Sequence, residues 1–370
     1  FSTTYEESRV KFLHQIKEME HHWDHAKHIK YQVGEPEDDL TIDVLYAEAL
    51  ENKKNLLLIT TGEHGVEGYI GSAILQLFMN EFMQALNPKN TGLVLVHAIN
   101  PWGMKHYRRT NENNVDLNRN FIWEWDKLNR SLNKGYREGK DFFLSSERIK
   151  SKLAFNIRYG IKLLKVFIKL GAKGLSDALL YGQYEFPKGT YYGGDGYEAN
   201  TKHMIALYKT YFSSYDRIVM IDIHTGYGPS DQMCITNSSL ERFSSEELSR
   251  QFAYPLVQKT DAKEFYSING DMIDFVYLLH QNEFKQKDFY ATVFEFGTFG
   301  DSMVANLKSL KAIISENQTF WHGSDNKLFT EQIKRNFLEL FYPSDLTWRK
   351  KAVDDAKLAF KGILKAKHFI

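Results

Sequence analysis

Three of the most apolar stretches in this 370-residue chain are too short to be helices and too continuous to be surface strands: Leu56-Leu57-Leu58-Ile59, Leu93-Val94-Leu95-Val96 and Ile218-Val219-Met220-Ile221-Asp222-Ile223. Runs of this kind read as strands buried on both faces, and such strands belong to parallel sheets covered by helices. The spacing between them agrees. Val66 to about Leu86 reads as a crossover helix, and its early small residues (Gly68, Gly71, Ser72, Ala73) allow close packing on a sheet. Thr292-Val293-Phe294-Glu295-Phe296 is a fourth strand, and Ile42–Tyr46 alternates like another. The β–α–β order predicts an α/β fold around a mostly parallel sheet.

Each of these strands runs into a polar turn. The first ends in Thr60-Thr61-Gly62-Glu63-His64-Gly65-Val66-Glu67-Gly68, where His64 and Glu67 stand three residues apart as the turn becomes a helix. An imidazole and a carboxylate so placed can converge on one zinc ion; the alternative is a surface turn that happens to hold both. The third ends in His224-Thr225-Gly226, a further ligand if the sheet sets the two strand ends side by side. Asp222 either backs that histidine or faces away from it. Glu295 is a lone carboxylate among apolar neighbours just before Gly297, a placement that calls for a partner or a raised pKa. Between the second and third strands lies an Asn-rich segment, Asn100–Phe121, with Arg108, Arg109 and Arg119. Such arginines clamp a carboxylate or oxyanion, or else pair with surface acids.

Elsewhere the reading is plainer. Residues 5–31 are predicted to form one amphipathic helix, carrying His21, His25 and His28 on a solvated stripe. Further helices are expected near 200–211, 244–260, 271–281, 301–317, 327–341 and 346–366. Residues 148–173 contain eight basic side chains and no acid, with Arg158, Lys162, Lys165, Lys169 and Lys173 at helical spacing. A helix packed on several sides with its charges in solvent is the expectation there, and contact with a membrane surface the lesser alternative. The 47 basic and 47 acidic residues cancel, so no global field points to nucleic acid. A single cysteine excludes an internal disulfide and suits a reducing, cytoplasmic setting. A leader removed before Phe1 stays open. No Gly-x-Ser-x-Gly elbow is present, which argues against a serine hydrolase.

The ordered set His64-x-x-Glu67, Asn100-Pro101-x-Gly103, Asp116-Leu117-Asn118-Arg119-Asn120-Phe121, His224 and Phe294-Glu295-Phe296-Gly297 resembles the carboxypeptidase A-like zinc peptidase superfamily. That superfamily also holds aspartoacylase and succinylglutamate desuccinylase. The resemblance spans roughly residues 40–320. The chain's opening and close (Tyr5, Arg9 and Phe12; Tyr342, Pro343 and Trp348) look like a microbial branch of it.

What the resemblance implies is specific. The fold would be a central mixed, mainly parallel sheet of about eight strands in a single catalytic domain, enlarged by a helical insertion at about 122–190 and a C-terminal helical extension at about 320–370. His64, Glu67 and His224 would hold one Zn²⁺, and Glu295 would be the general base. Arg109 rather than Arg108 would face the oxyanion, since it lies nine residues before Asn118 as in the superfamily's cell-wall peptide amidases. Asn118 and Arg119 would hold a substrate carboxylate, Tyr266 would close over the substrate, and Ile273 would line a side-chain pocket suited to neutral groups. The reaction would be hydrolysis of an amide beside a free carboxylate, in a peptide or an N-acyl amino acid. A catalytically inert metal-binding scaffold is the reading from a different class.

Overall fold

The computed structural model describes residues 1–260 and 269–370. Eight strands form one sheet: β1 (Ala26–Gln32), β2 (Thr41–Ala47), β3 (Asn55–Thr61), β4 (Thr91–His97), β5 (Arg217–Thr225), β6 (Met233–Asn237), β7 (Val257–Lys259) and β8 (Asp288–Phe296). Their order across the sheet is β1-β2-β4-β3-β5-β8-β6-β7. The central strands β4, β3, β5 and β8 run parallel, β2 and β6 are antiparallel to their inner neighbours, and the sheet is mixed as expected.

Period-two alternation explains why the apolar runs are continuous. Leu57, Ile59, Leu93, Leu95, Val219 and Ile221 face one layer, built from the helices Tyr5–Trp23, Gly68–Glu81 and Leu346–Ala366. Leu56, Leu58, Val94, Val96, Ile218 and Met220 face the other, built from Ala199–Ser214 and Met272–Glu283. Gly71 meets the expectation of close packing: a Cβ there would lie 2.6 Å from Thr61 Cβ.

The N-terminal helix is shorter than the sequence suggests. It stops at Trp23, Asp24 turns with φ 59°, and residues 26–32 become β1. Pairing along the length of β2 outweighs a helical pattern that is weak beyond Trp23. The supposed histidine stripe is broken accordingly: His21 is in the helix, His25 lies beyond its end, and His28 is in β1, where it binds Asp43. The predicted helix over 244–260 is likewise only Ser245–Phe252, followed by β7. The short strand β6 gave no separate signal, since five residues with a polar end are ambiguous until β8 pairs with them.

The segment 122–190 carries the helix Lys152–Leu180, broken at Gly171 (φ 69°). Phe155, Val166 and Leu175 pack inward, the last two beside Tyr136 and Phe143. The expectation that the helix is packed on several sides does not hold. Leu153, Ile157, Ile161, Leu164 and Ile168 are exposed, because nothing among the described residues lies over that side.

Candidate metal centre and its cleft

Parallel pairing in register places β3 beside β5 and β5 beside β8, with His224 opposite Glu295. The carboxyl ends of the three strands therefore bring His64, Glu67, His224 and Glu295 together, as open α/β sheets do. His64 Nδ1 lies 3.0 Å from Glu67 Oε1, and His224 Nδ1 lies 3.3 Å from Glu67 Oε2. The two rings meet edge to face, 4.9 Å between centroids.

Each imidazole is held by its other nitrogen. His64 Nε2 contacts Asp116 Oδ1 at 3.0 Å. His224 Nε2 contacts Asp222 Oδ2, whose second oxygen accepts from Thr60 Oγ1 at 2.6 Å. Asp222 and His224, two apart on β5, share a face; the carboxylate backs the ring rather than turning away from it. Carboxylates behind imidazoles fix the ring orientation and leave Nδ1 free to ligate.

These donors fit a dication. His64 Nδ1 is buried with no hydrogen-bond partner, although a carboxylate oxygen lies 3.0 Å away. Ligands about 2.0–2.2 Å from a tetrahedral zinc stand roughly 3.3–3.5 Å from one another, close to the spacings seen here. One atom from each of His64, Glu67 and His224 falls within a 4.8 Å group. The electrostatics agree. Burial opposes charge on His224, yet Asp222 raises its pKa well above normal. Burial likewise pushes Glu67 and Asp116 upward, but the imidazoles and, for Asp116, chiefly Arg109 hold both below the usual carboxylate range.

The two neighbouring arginines part company. Arg109 turns inward, its Nε 3.1 Å from Asp116 Oδ2 and its Nη1 3.4 Å from Glu67 Oε1. Arg108 turns away from these residues but stays buried, pairing with Glu316 at 3.2 Å and stacking 3.5 Å over the Phe320 ring. Arg119 is buried, donates to the Asn118 carbonyl, and keeps a buried Nε without a partner.

A cleft opens beside His224, lined among others by Asn118, Asp271, Ile273, Asp274 and Glu295. Glu295 Oε1 accepts from the Tyr227 backbone at 3.1 Å. Burial and then Glu67, against His224, push its pKa up to about 7. Ile273 lines the cleft, but Asp274 beside it alters the pocket's character. Its carboxylate accepts from Ser238 Oγ, and burial together with Asp271 raises it to about 7. Tyr266 lies outside the described residues.

Residues the sequence reading passed over also converge here. Glu63 is buried with its Oε2 3.3 Å from His224 Nε2, and burial raises its pKa to about 7. Its place next to His64 was the available signal. Tyr191 and Tyr227 join hydroxyls at 3.2 Å, and the guanidinium groups of Arg109 and Arg119 lie 5.7 and 5.9 Å from the Tyr191 ring. Nothing in the spacing links these two tyrosines.

One backbone strut supports the cleft. Phe121 N–H donates to the Gly270 carbonyl at 3.0 Å, and Met272 N–H donates to Asn118 Oδ1 at 3.0 Å. The Tyr184 hydroxyl reaches both the Arg119 and Asn269 carbonyls, at 2.7 and 3.1 Å. Gly270 (φ 79°) admits this approach, since a Cβ would fall 2.2 Å from the Arg119 carbonyl oxygen.

Sheet and donor set together define a candidate mononuclear metal centre at the strand ends of an α/β protein. The chain belongs to the family described as Protein of unknown function (DUF2817), whose model matches residues 1–355. No curated protein matches it. Similar solved structures include bovine thrombin-activatable fibrinolysis inhibitor in complex with tick carboxypeptidase inhibitor, at 15% identity over 99% of this chain and 98% of that one, TM-score 0.49. A succinylglutamate desuccinylase from Silicibacter sp. TM1040 matches at 15% identity over 79% and 64%, TM-score 0.38. The murein-tripeptide amidase of Escherichia coli O157 matches at 17% over 79% and 91%, TM-score 0.37. At such identities the chemistry has to be read from the site's own atoms.

Proposed function

We propose that this chain is a zinc-dependent hydrolase that cleaves an amide bond next to a free carboxylate, acting as a carboxypeptidase or peptide amidase. The observation that carries the reading is the convergence of His64 Nδ1, the Glu67 carboxylate and His224 Nδ1, each imidazole backed by a buried carboxylate, beside a cleft that holds Glu295. A zinc ion held by those three residues would supply Lewis acidity and bring the pKa of a water toward about 7.

The chain's own groups divide the remaining work. Glu295, with a pKa near 7, is matched to take a proton from the attacking water and return it to the amine as the C–N bond breaks. Arg109, fixed by Asp116, would face the oxyanion. Asn118 and Arg119 would hold the substrate carboxylate, and the spare Nε of Arg119 is a donor awaiting an acceptor. Asp274 in the cleft favours a cationic or polar side chain over the neutral one that Ile273 suggests by itself.

The deciding experiment measures metal in protein purified without chelator, for the native chain and for His224→Ala. About one zinc per native chain, lost in the variant, supports the reading. A native chain that neither holds zinc nor takes it up sinks it. A panel of peptides and N-acyl amino acids then separates peptidase from deacylase, because the same ligands and arginines serve both.

A further inference from the structure

The helix Lys152–Leu180 leaves five large aliphatic side chains in water: Leu153 (71% exposed), Ile157 (54%), Ile161 (51%), Leu164 (60%) and Ile168 (75%). Their spacing confines them to about 80° of the helix surface over about 22 Å, all before the break at Gly171. Single exposed aliphatics are ordinary, but a continuous stripe of them marks a surface that something covers. Arg158, Lys162, Lys165 and Lys169 occupy the adjoining arc of about 60°, between the stripe and the face packed on Tyr136 and Phe143, and Lys173 follows beyond the break. Arg158 pairs with Glu147, and Lys169 stands 3.8 Å from Glu138. Both are exposed pairs of the kind that contribute little. Lys165 and Lys173 have no acidic partner among the described residues.

We infer that this helix docks the protein on an anionic phospholipid surface, the aliphatic stripe entering the headgroup boundary and the basic row meeting lipid phosphates. The combination of an apolar stripe with a basic flank is that of a helix lying in the interface plane. No helix among the described residues is long and apolar enough to cross a membrane, so the contact is peripheral. Charge weighs against an antiparallel second copy as occupant, since a two-fold contact of that kind through this stripe would set the basic row against itself. The inference stands apart from the chemistry proposed above.

The test is flotation of the whole protein with phosphatidylcholine vesicles, with and without phosphatidylglycerol. The native chain is expected to float with the anionic vesicles at low salt and to be released as salt shortens the screening length. Leu164→Gln with Ile168→Gln is expected to weaken binding by about tenfold or more, while melting like the native protein, because both sites are already exposed. Lys165→Gln with Lys169→Gln should weaken it severalfold. Failure of the native chain to float, or full binding by a natively folded stripe variant, overturns the inference. So does flotation that is equal on neutral vesicles. Self-association in solution, or capture of an acidic protein, that the stripe variant abolishes without any vesicle binding also overturns it.

Discussion

The strand ends and the helix Lys152–Leu180 both break the usual division between inside and outside, in opposite directions. At the strand ends, Glu63, Glu67, Asp116 and Asp222 are buried beside two imidazoles, where an unpaired charge is costly. On the helix Lys152–Leu180, aliphatic side chains stand in water although the same helix has a well-packed inner face. Folding alone asks for neither. A sheet of this kind closes with apolar strand ends, and a surface helix folds with a polar outer face. On the two proposals made above, the first region is arranged to meet concentrated positive charge and the second an apolar and negative surface.

Substitutions sharpen that contrast, and the largest effect belongs to the strand ends. Glu295→Gln should lower turnover by about 10²–10⁴-fold while leaving bound zinc unchanged, as read by steady-state rates alongside metal analysis. An active Glu295→Gln variant would remove the general base from the proposal. Arg109→Ala should reduce kcat by about 10²–10³-fold. It should also destabilise the protein, because Asp116 and Glu67 lose their buried cation. Arg109→Lys separates the two effects, since it restores charge without the fork that reaches both acids.

Smaller effects follow in the cleft. Asp274→Asn should cut the preference for cationic over neutral side chains by about tenfold, visible as a change in kcat/KM ratio across a substrate pair. The sign with pH is fixed by the raised pKa: Asp274 is ionised above about 7 and neutral below it. The native preference should therefore grow as pH rises through 7 and be flat in the variant. The smallest effect lies on the helix Lys152–Leu180. Leu164→Gln should move stability by no more than about 0.5 kcal/mol in a denaturant melt, while Phe143→Ala, on the packed side of the same region, should cost about 3–5 kcal/mol. A large loss from Leu164→Gln would mean that the stripe is covered in solution.

Much of this was legible in the sequence because the signal is local. The runs at 56–59, 93–96, 218–223 and 292–296 are strands, and the helices at 327–341 and 346–366 stand where periodicity and caps put them. The approach of His64, Glu67, His224 and Glu295 follows once strand ends of a parallel sheet are known to meet. What was not legible depends on partners far along the chain. β1 becomes a strand only because β2 offers it a ladder. Asp274 enters the cleft through the turn of a helix, and Tyr191 reaches the arginines from a loop more than seventy residues beyond Arg119. The exposed stripe was hidden for a different reason. Periodicity reports which residues share a face, whereas covering that face is a property of the whole fold.

The strut between Arg119 and Gly270 has a consequence for how such a protein can diverge. The loop proposed to grip the substrate carboxylate and the turn that opens the pocket helix share hydrogen bonds and are both touched by Tyr184. A mutation that retunes one of them displaces the other. New specificities in this lineage should therefore arise through paired, epistatic changes across 118–121 and 269–274, with single-step intermediates that recognise neither the old substrate nor the new one well.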